Sequence, residues 1–303
     1  MSLPRLLGYT LVALVIATVI GQVLRRTARA ESTRATVANM NVRIVAWWTL
    51  CGMMALALAL GEGAVVALFA LFSALALGEF IRLTPGESFW PFFVFTPLQY
   101  WMVWSRSHEM FAILIPVCAF LYIPAYHLIA GGADRFLDRT ARAYWGLMVC
   151  TYCLSHAPAL LMLNIPGYAG RNTTLLFYFL LVVQSSDVMQ YVWGKLLGKR
   201  PVAPRISPNK TWEGLIGGCV TATAIGAALY GATPFQPWQA AAMSATITLV
   251  GFAGGLTMSA IKRDCGVKDF GTIVIGHGGV LDRIDSLCFS APVLFHLTRH
   301  FYT

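Results

Sequence analysis

The chain has 303 residues, 57% of them hydrophobic and only 12% charged, with a mean hydropathy of +0.66. A soluble domain carries about 25% charged residues, so this balance excludes an ordinary soluble protein and points to one that crosses a membrane many times. The net charge of +9 does not call for nucleic acid as a partner, because a multi-pass protein collects lysine and arginine in its inner loops for topological reasons alone.

A helix rising 1.5 Å per residue needs about 20 apolar residues to cross a hydrocarbon core of roughly 30 Å. Windows of that length predict an all-α bundle of about ten transmembrane helices. They lie near Leu6–Leu24, Ile44–Leu60, Ala64–Phe80, Ser88–Trp104, Met110–Ala130, Ala143–Leu163, Thr174–Trp193, Gly214–Tyr230, Ala240–Ile261 and Ile284–Tyr302. Only Gly61-Glu62-Gly63 parts the second from the third, and merging them gives nine. The whole chain reads as one integral membrane domain, a helical scaffold over residues 1–173 followed by catalytic helices and loops over 174–303. The first span is long for the apolar core of a signal peptide, and no small-x-small pattern precedes Arg25-Arg26, so a retained helix is predicted. With ten crossings and an outer N-terminus, every lysine and arginine except Arg5, Arg106, Arg171 and Arg299 falls on the inner side. This places 195–213 and 262–283 together on the cytoplasmic face.

The basic, aromatic-free stretch 25–43 reads as a cytoplasmic connector or surface helix near anionic headgroups. In the scaffold, Glu79 ends an apolar run and is expected at the interface. His127 and His156 are expected to form hydrogen bonds in the core, and Pro116, Pro124 and Pro158 to kink their helices. Seven cysteines follow no disulfide framework. Cys150 and Cys153 have redox-motif spacing but sit in an apolar span, which predicts buried core thiols and no zinc site.

Two polar stretches break this pattern. In the first, Asp187 lies late in an apolar span, where an unpaired carboxylate costs a few kcal/mol, so it should meet a cation or a metal. Ser207-Pro208 has the form of an N-cap and a first-turn proline. That predicts a helix starting there, with free N–H groups for an anion and Lys210 in its first turn. The second stretch, Ser259 to Asp285, holds four of the seven aspartates, along with Lys262, Arg263, Lys268, Arg283 and a histidine, His277, between glycines. Carboxylates for Mg²⁺, cations for phosphate oxygens and glycines that let backbone N–H groups approach an anion are the parts of a phosphoryl-transfer site.

The second stretch is similar to the hallmark motif of the phosphatidate cytidylyltransferase (CDP-diacylglycerol synthase) family. Ser259, Lys262, Arg263, Lys268, Asp269, Gly271, Gly276, His277, Gly278, Gly279, Asp282, Arg283 and Asp285 stand in register with it. The first stretch matches a second motif of that family through Asp187, Tyr191, Gly194, Lys195, Gly198, Lys199, Ser207, Pro208, Lys210, Thr211, Glu213 and Gly214. The resemblance covers roughly Asp187 to Asp285. The chain departs from the family at Gln190 (usually alanine), Asn209 (lysine), Gly255 (aspartate in many bacterial members) and Ile275 (proline).

The resemblance implies CTP and phosphatidate as substrates in the lipid bilayer, giving CDP-diacylglycerol and pyrophosphate for phospholipid biosynthesis. Lys262, Arg263, Lys268 and Arg283 would act on the phosphates. Asp187, Lys195, Ser207, Lys210 and Ser259 would contribute to substrate binding, and Gly278 and Gly279 would form a backbone nest. His277 takes a hydrogen-bonding or orienting role. Asp282 and Asp285, three apart on one helical face, would hold Mg²⁺ with Asp269 approaching from the loop; pairing of Asp285 with Arg283 or Lys262 is the structural alternative. Gly255 leaves a second cation open. The expected location is the inner (plasma) membrane with a cytoplasmic active site, and a homodimer is left open. The competing readings are a CTP-dependent lipid-alcohol kinase and a cytidylyltransferase for another lipid phosphate. A transporter is disfavoured, since the charges gather in loops and at helix ends rather than in matched broken helices.

Overall fold

Apolar segments separated by short polar turns dictate helices that return on themselves, and in the computed structural model the predicted spans fall on successive helices, except that the start of the Ser88–Trp104 span lies outside the described residues and its next part, Trp90–Val94, is a 3-10 turn. The structure describes residues 1–27, 31–83, 90–271 and 278–303. Counting helices that run on through π or 3-10 turns as one, these are α1 (Leu3–Thr27), α2 (Glu31–Leu60), α3 (Glu62–Arg82), α4 (Phe95–Trp104), α5 (His108–Gly131), α6 (Phe136–Met162), α7 (Asn172–Leu197), α8 (Trp212–Ala228), α9 (Pro237–Asp264) and α10 (Leu281–Tyr302). Among the described residues the only sheet is a small antiparallel hairpin, β1 (Pro201–Ala203) with β2 (Ser207–Thr211).

Six of the helices, α1, α3, α5, α6, α7 and α9, are long and apolar enough to cross a membrane. The architecture is all-α and multi-pass. The other four predicted spans fall on helices that miss those criteria. In α2 the apolar part is only Trp47–Leu60, while α4 and α8 are short, at 10 and 17 residues. Finally, α10 carries Asp282, Arg283 and Asp285 near its start and Arg299 and His300 near its end.

Of the six long apolar helices, α6 is the most buried and α1 the least. Gly146 of α6 lets Phe80 of α3 approach so closely that a Cβ there would lie 2.8 Å from its ring. Inside the bundle, polar side chains find one another, as an apolar medium demands. Ser73 and Tyr100 are 2.6 Å apart, Thr96 and Thr151 3.0 Å, and Tyr178 and Ser244 2.7 Å. The core hydrogen bonds expected of the two histidines are present, His156 to the Tyr152 carbonyl at 2.8 Å and His127 to Thr140 at 3.2 Å. All seven thiols are free; Cys150 is buried as expected, whereas Cys153 is only partly buried. Pro116 lies in a π turn, Leu114–Ala119, where its missing N–H widens the helical ladder.

Contacts between loops sort them into two ends. At one end Glu62 pairs with Arg106 at 2.9 Å, and Arg171 donates to the carbonyls of Met1 and Gly231. At the other, Arg263 reaches the Ile206 carbonyl, and Glu79 reaches the start of α10. The two motif-bearing stretches meet at this second end.

Candidate active site

Helix α9 carries Lys262 and Arg263 in its last turn, and Gly266, with a φ of +70°, turns the chain away. Helix α10 then returns with Asp282, Arg283 and Asp285 near its start. The two helices come close because α9 presents glycine to α10. A Cβ at Gly251 would stand 2.9 Å from Ser290 Oγ, and one at Gly254 2.6 Å from the Phe289 ring. Small residues at such a crossing let backbones approach in lipid.

Asp282 has both oxygens committed. Its Oδ1 accepts from Lys262 Nζ at 2.7 Å, with the two side chains only 6% and 13% exposed respectively. Its Oδ2 accepts from the backbone N–H of Phe270 and of Gly279, each at 2.9 Å. Gly278 between them has a φ of +82°, and a Cβ there would lie 2.8 Å from Asp282 Oδ2. Only glycine serves at that turn. Asp269 is exposed beside Gly278. Asp282 thus ties the loop down, and the Gly279 N–H, expected to face a phosphate, is donated to Asp282.

Asp285 lies elsewhere, next to Asp187 of α7. The Ser286 hydroxyl bridges the two carboxylates, at 3.2 Å to Asp187 and 3.4 Å to Asp285, and the Ser286 N–H adds a bond to Asp285 at 2.7 Å. Lys210 faces this pair from the hairpin. Its ammonium stands over Gly255, where any Cβ would overlap it, and over the Phe252 ring at 5.1 Å. Burial holds the Lys210 pKa below the usual lysine value, and the carboxylates of Asp285 and Asp187 pull the other way. At Gly255, where the family motif often has an acid, this chain therefore has the ammonium of Lys210.

Ser207 does not cap a helix. Residues Ser207–Thr211 pair as a strand with Pro201–Ala203, which takes up the backbone groups that a helix start would leave free. The cap is Thr211, whose Oγ1 accepts from the Gly214 N–H at 3.2 Å, so Lys210 precedes α8 rather than lying in its first turn. Glu213 adds a second tie by accepting from the N–H groups of Lys199 and Arg200. Arg263 fastens the hairpin to the α9 end by donating to the carbonyls of Ile206 and Val267. Lys195 and Lys268 are exposed, while Ser259 bonds back to the Gly255 carbonyl at 2.7 Å and Arg283 is half-buried on α10. His277, with Ile275 and Gly276, lies outside the described residues.

One residue escaped the sequence reading. Glu79, expected at the interface, is 1% exposed, and its carboxylate accepts from the N–H groups of Val280 and Leu281 at 2.8 and 2.9 Å. The signal was present, since an ionisable group within an apolar span is functional by default.

Among the described residues no three acidic, histidine or cysteine side chains converge as a metal cage. The donor set that fits a divalent cation is the Asp187–Asp285 pair. Two carboxylates brought together, with a lysine ammonium as their nearest cation, favour a further positive charge.

A model of the cytidylyltransferase family matches residues 41–301. The chain belongs to the cytidylyltransferase family. It is therefore a nucleotidyltransferase, as the two motif stretches imply. Over 270 residues it is 37% identical to the uncharacterized protein YnbB of Escherichia coli (strain K12), covering 86% of this chain and 88% of that one. It is also 45% identical over 129 residues to the phosphatidate cytidylyltransferase of Mycobacterium leprae (strain TN), and 42% identical over 125 residues to that of Brucella abortus biovar 1 (strain 9-941). These two matches cover 41% of this chain and only 39% and 46% of the respective relatives. The likeness to these two phosphatidate cytidylyltransferases thus covers less than half of the chain and of each relative, whereas the family match runs through most of the scaffold.

Proposed function

We propose that the protein transfers the cytidylyl group of CTP to phosphatidate, giving CDP-diacylglycerol and pyrophosphate, at the cytoplasmic face of a bacterial inner membrane. The observation that carries this reading is the meeting of the Asp187–Asp285 pair, Lys210 and the Lys262–Asp282 pair at one end of the bundle. A phosphate monoester has a second pKa near 6 and is largely ionised at neutral pH, so the lipid phosphate needs no general base. Its oxygen attacks the α-phosphorus of CTP and a new P–O–P bond forms. The α–β anhydride breaks, and its electron pair leaves on pyrophosphate. The obstacle is repulsion between two polyanions, which fixed cations reduce.

Lys210 is placed to meet the triphosphate from the hairpin, and Lys262 to hold Asp282 and present its own charge beside it. Lys268, exposed on the loop, can reach toward the phosphates. Arg263 holds the hairpin and the α9 end at a fixed distance. Asp187 and Asp285 are the residues that would hold Mg²⁺, with Asp282 and Asp269 at the neighbouring loop. Such an ion would neutralise phosphate charge and orient the leaving group. Lys210 over Gly255 supports a site with one divalent cation.

The test is direct. Purified protein given CTP labelled in its α-phosphate, phosphatidate and Mg²⁺ is expected to form labelled CDP-diacylglycerol and free pyrophosphate, and none after chelation. With a lipid alcohol such as diacylglycerol in place of phosphatidate, labelled CDP together with a newly phosphorylated, unlabelled lipid would favour a lipid-alcohol kinase. Turnover only with another lipid phosphate would move the substrate, and no labelled product with any lipid phosphate would reject the reading.

A further inference from the structure

We infer that Glu79, which belongs to neither motif, is a positioning residue for the active site: it fixes the glycine turn at 278–279 and the start of α10, and through them the Asp282 carboxylate. The inference deepens the proposed transfer reaction and rests on it for its kinetic part.

The geometry is specific. The first N–H groups of any helix lack partners inside it. Here three successive donors leading into α10 go to carboxylates, Gly279 to Asp282 and Val280 and Leu281 to Glu79. Asp282 receives a bond from the turn, whereas Glu79 reaches it from α3, 201 residues away along the chain. Its surroundings are built for it. A Cβ at Gly271 would lie 2.6 Å from Glu79 Oε1, and one at Gly279 would overlap Oε2. Gly271 and Gly279 therefore both pack against this one carboxylate.

Two consequences follow for the chemistry. With Glu79 on its N–H groups, the start of α10 is not open to a phosphate as other helix starts are, so phosphate binding is left to the lysine ammonium groups and the bound cation. Moreover, Asp285 lies one turn further along α10, so the aim of both α10 carboxylates depends on how that first turn is held. Glu79 touches no reacting atom in this arrangement and acts only through the backbone.

The experiment uses the full-length purified protein with Glu79→Ala, Glu79→Gln and Gly271→Ala. Amide exchange at Val280 and Leu281 is expected to speed up at least tenfold in Glu79→Ala and less in Glu79→Gln, which keeps one acceptor oxygen. In the transfer assay, kcat should fall about 10- to 100-fold in Glu79→Ala, the scale of an ångström-sized misplacement. KM for CTP should change less than about threefold, and Glu79→Gln should recover part of kcat. A defect from Gly271→Ala should shrink when Glu79→Ala is also present, because the collision it causes is gone. Unchanged exchange at both amides would overturn the inference. So would lost protection with an unchanged kcat, or a KM effect that exceeds the kcat effect. If wild-type protein transfers no nucleotide, the proposed reaction fails by itself, while the exchange measurement still decides whether Glu79 holds the turn.

Discussion

Asp282 and Lys262 show how little freedom individual residues have at this site. Each is the other's charged partner, both are largely withdrawn from water, and Asp282 also accepts from two backbone N–H groups. Breaking a buried ion pair on one side leaves an uncompensated charge, which costs about 3 kcal/mol or more. Lys262→Met should therefore lower the thermal unfolding midpoint clearly, and Asp282→Asn should do so as well while abolishing transfer. In the double variant neither charge is stranded, and the costs should fall short of additive by about 0.5–3 kcal/mol. Thermal unfolding of all four proteins in detergent checks this, and additive costs would show that the 2.7 Å contact is not a working pair.

At the scale of elements, close helix contacts are set by glycine. Helices α7 and α8 pack through Gly214, Gly217 and Gly218 against Gln190 and Trp193. A Cβ at Gly218 would lie 2.9 Å from the Gln190 backbone nitrogen, which cannot move away without shifting the helix. Gly218→Ala should cost about 1–3 kcal/mol by overpacking, and Gln190→Ala should not restore it, because the clash involves backbone. Gly52→Ala in α2 is the control, since nothing lies within 4 Å of it; it should be neutral or slightly stabilising. Unfolding midpoints decide between these outcomes. This contrast also marks how far the sequence could be read. The all-α, multi-pass class followed from runs of apolar residues, while only six of the ten expected crossings fall on helices long and apolar enough to span; the two polar stretches followed from charges that lipid does not tolerate unpaired. The start of α8 was misplaced because Ser207-Pro208 has the composition of a cap, while strand pairing with Pro201–Ala203, a tertiary choice, moved the cap to Thr211. Glu79 was legible only as an ionisable group in an apolar span; what it holds was not, as its partners are backbone groups some 200 residues away and carry no side-chain signature.

For the whole molecule, the question is which end faces the cytoplasm. The contacts define two ends, one with Glu62, Arg106, Arg171 and Gly231, the other with Glu79, the hairpin and the start of α10. Among the described residues Arg106 and Arg171 belong to the first end and Arg263 to the second, in line with the sorting expected from the sequence, which leaves only Arg5, Arg106, Arg171 and Arg299 outside. A surplus of cations is retained on the cytoplasmic side, and the proposed substrate CTP is a charged nucleotide that does not cross lipid unaided, so the proposed reaction requires the site end to face inside. Arg205 and Lys268 are exposed at that end, and Arg106 is exposed at the other. Cysteines introduced singly at these three positions should therefore respond differently to a membrane-impermeant thiol reagent. In intact spheroplasts Arg106→Cys should gain label over the native cysteines, whereas Arg205→Cys and Lys268→Cys should gain it only after the membrane is opened. Label at all three before opening would mean that the bundle is not sided in this way. Opposite behaviour of Arg205→Cys and Lys268→Cys would separate the hairpin from the segment after α9 that carries Lys268 and dissolve the shared site.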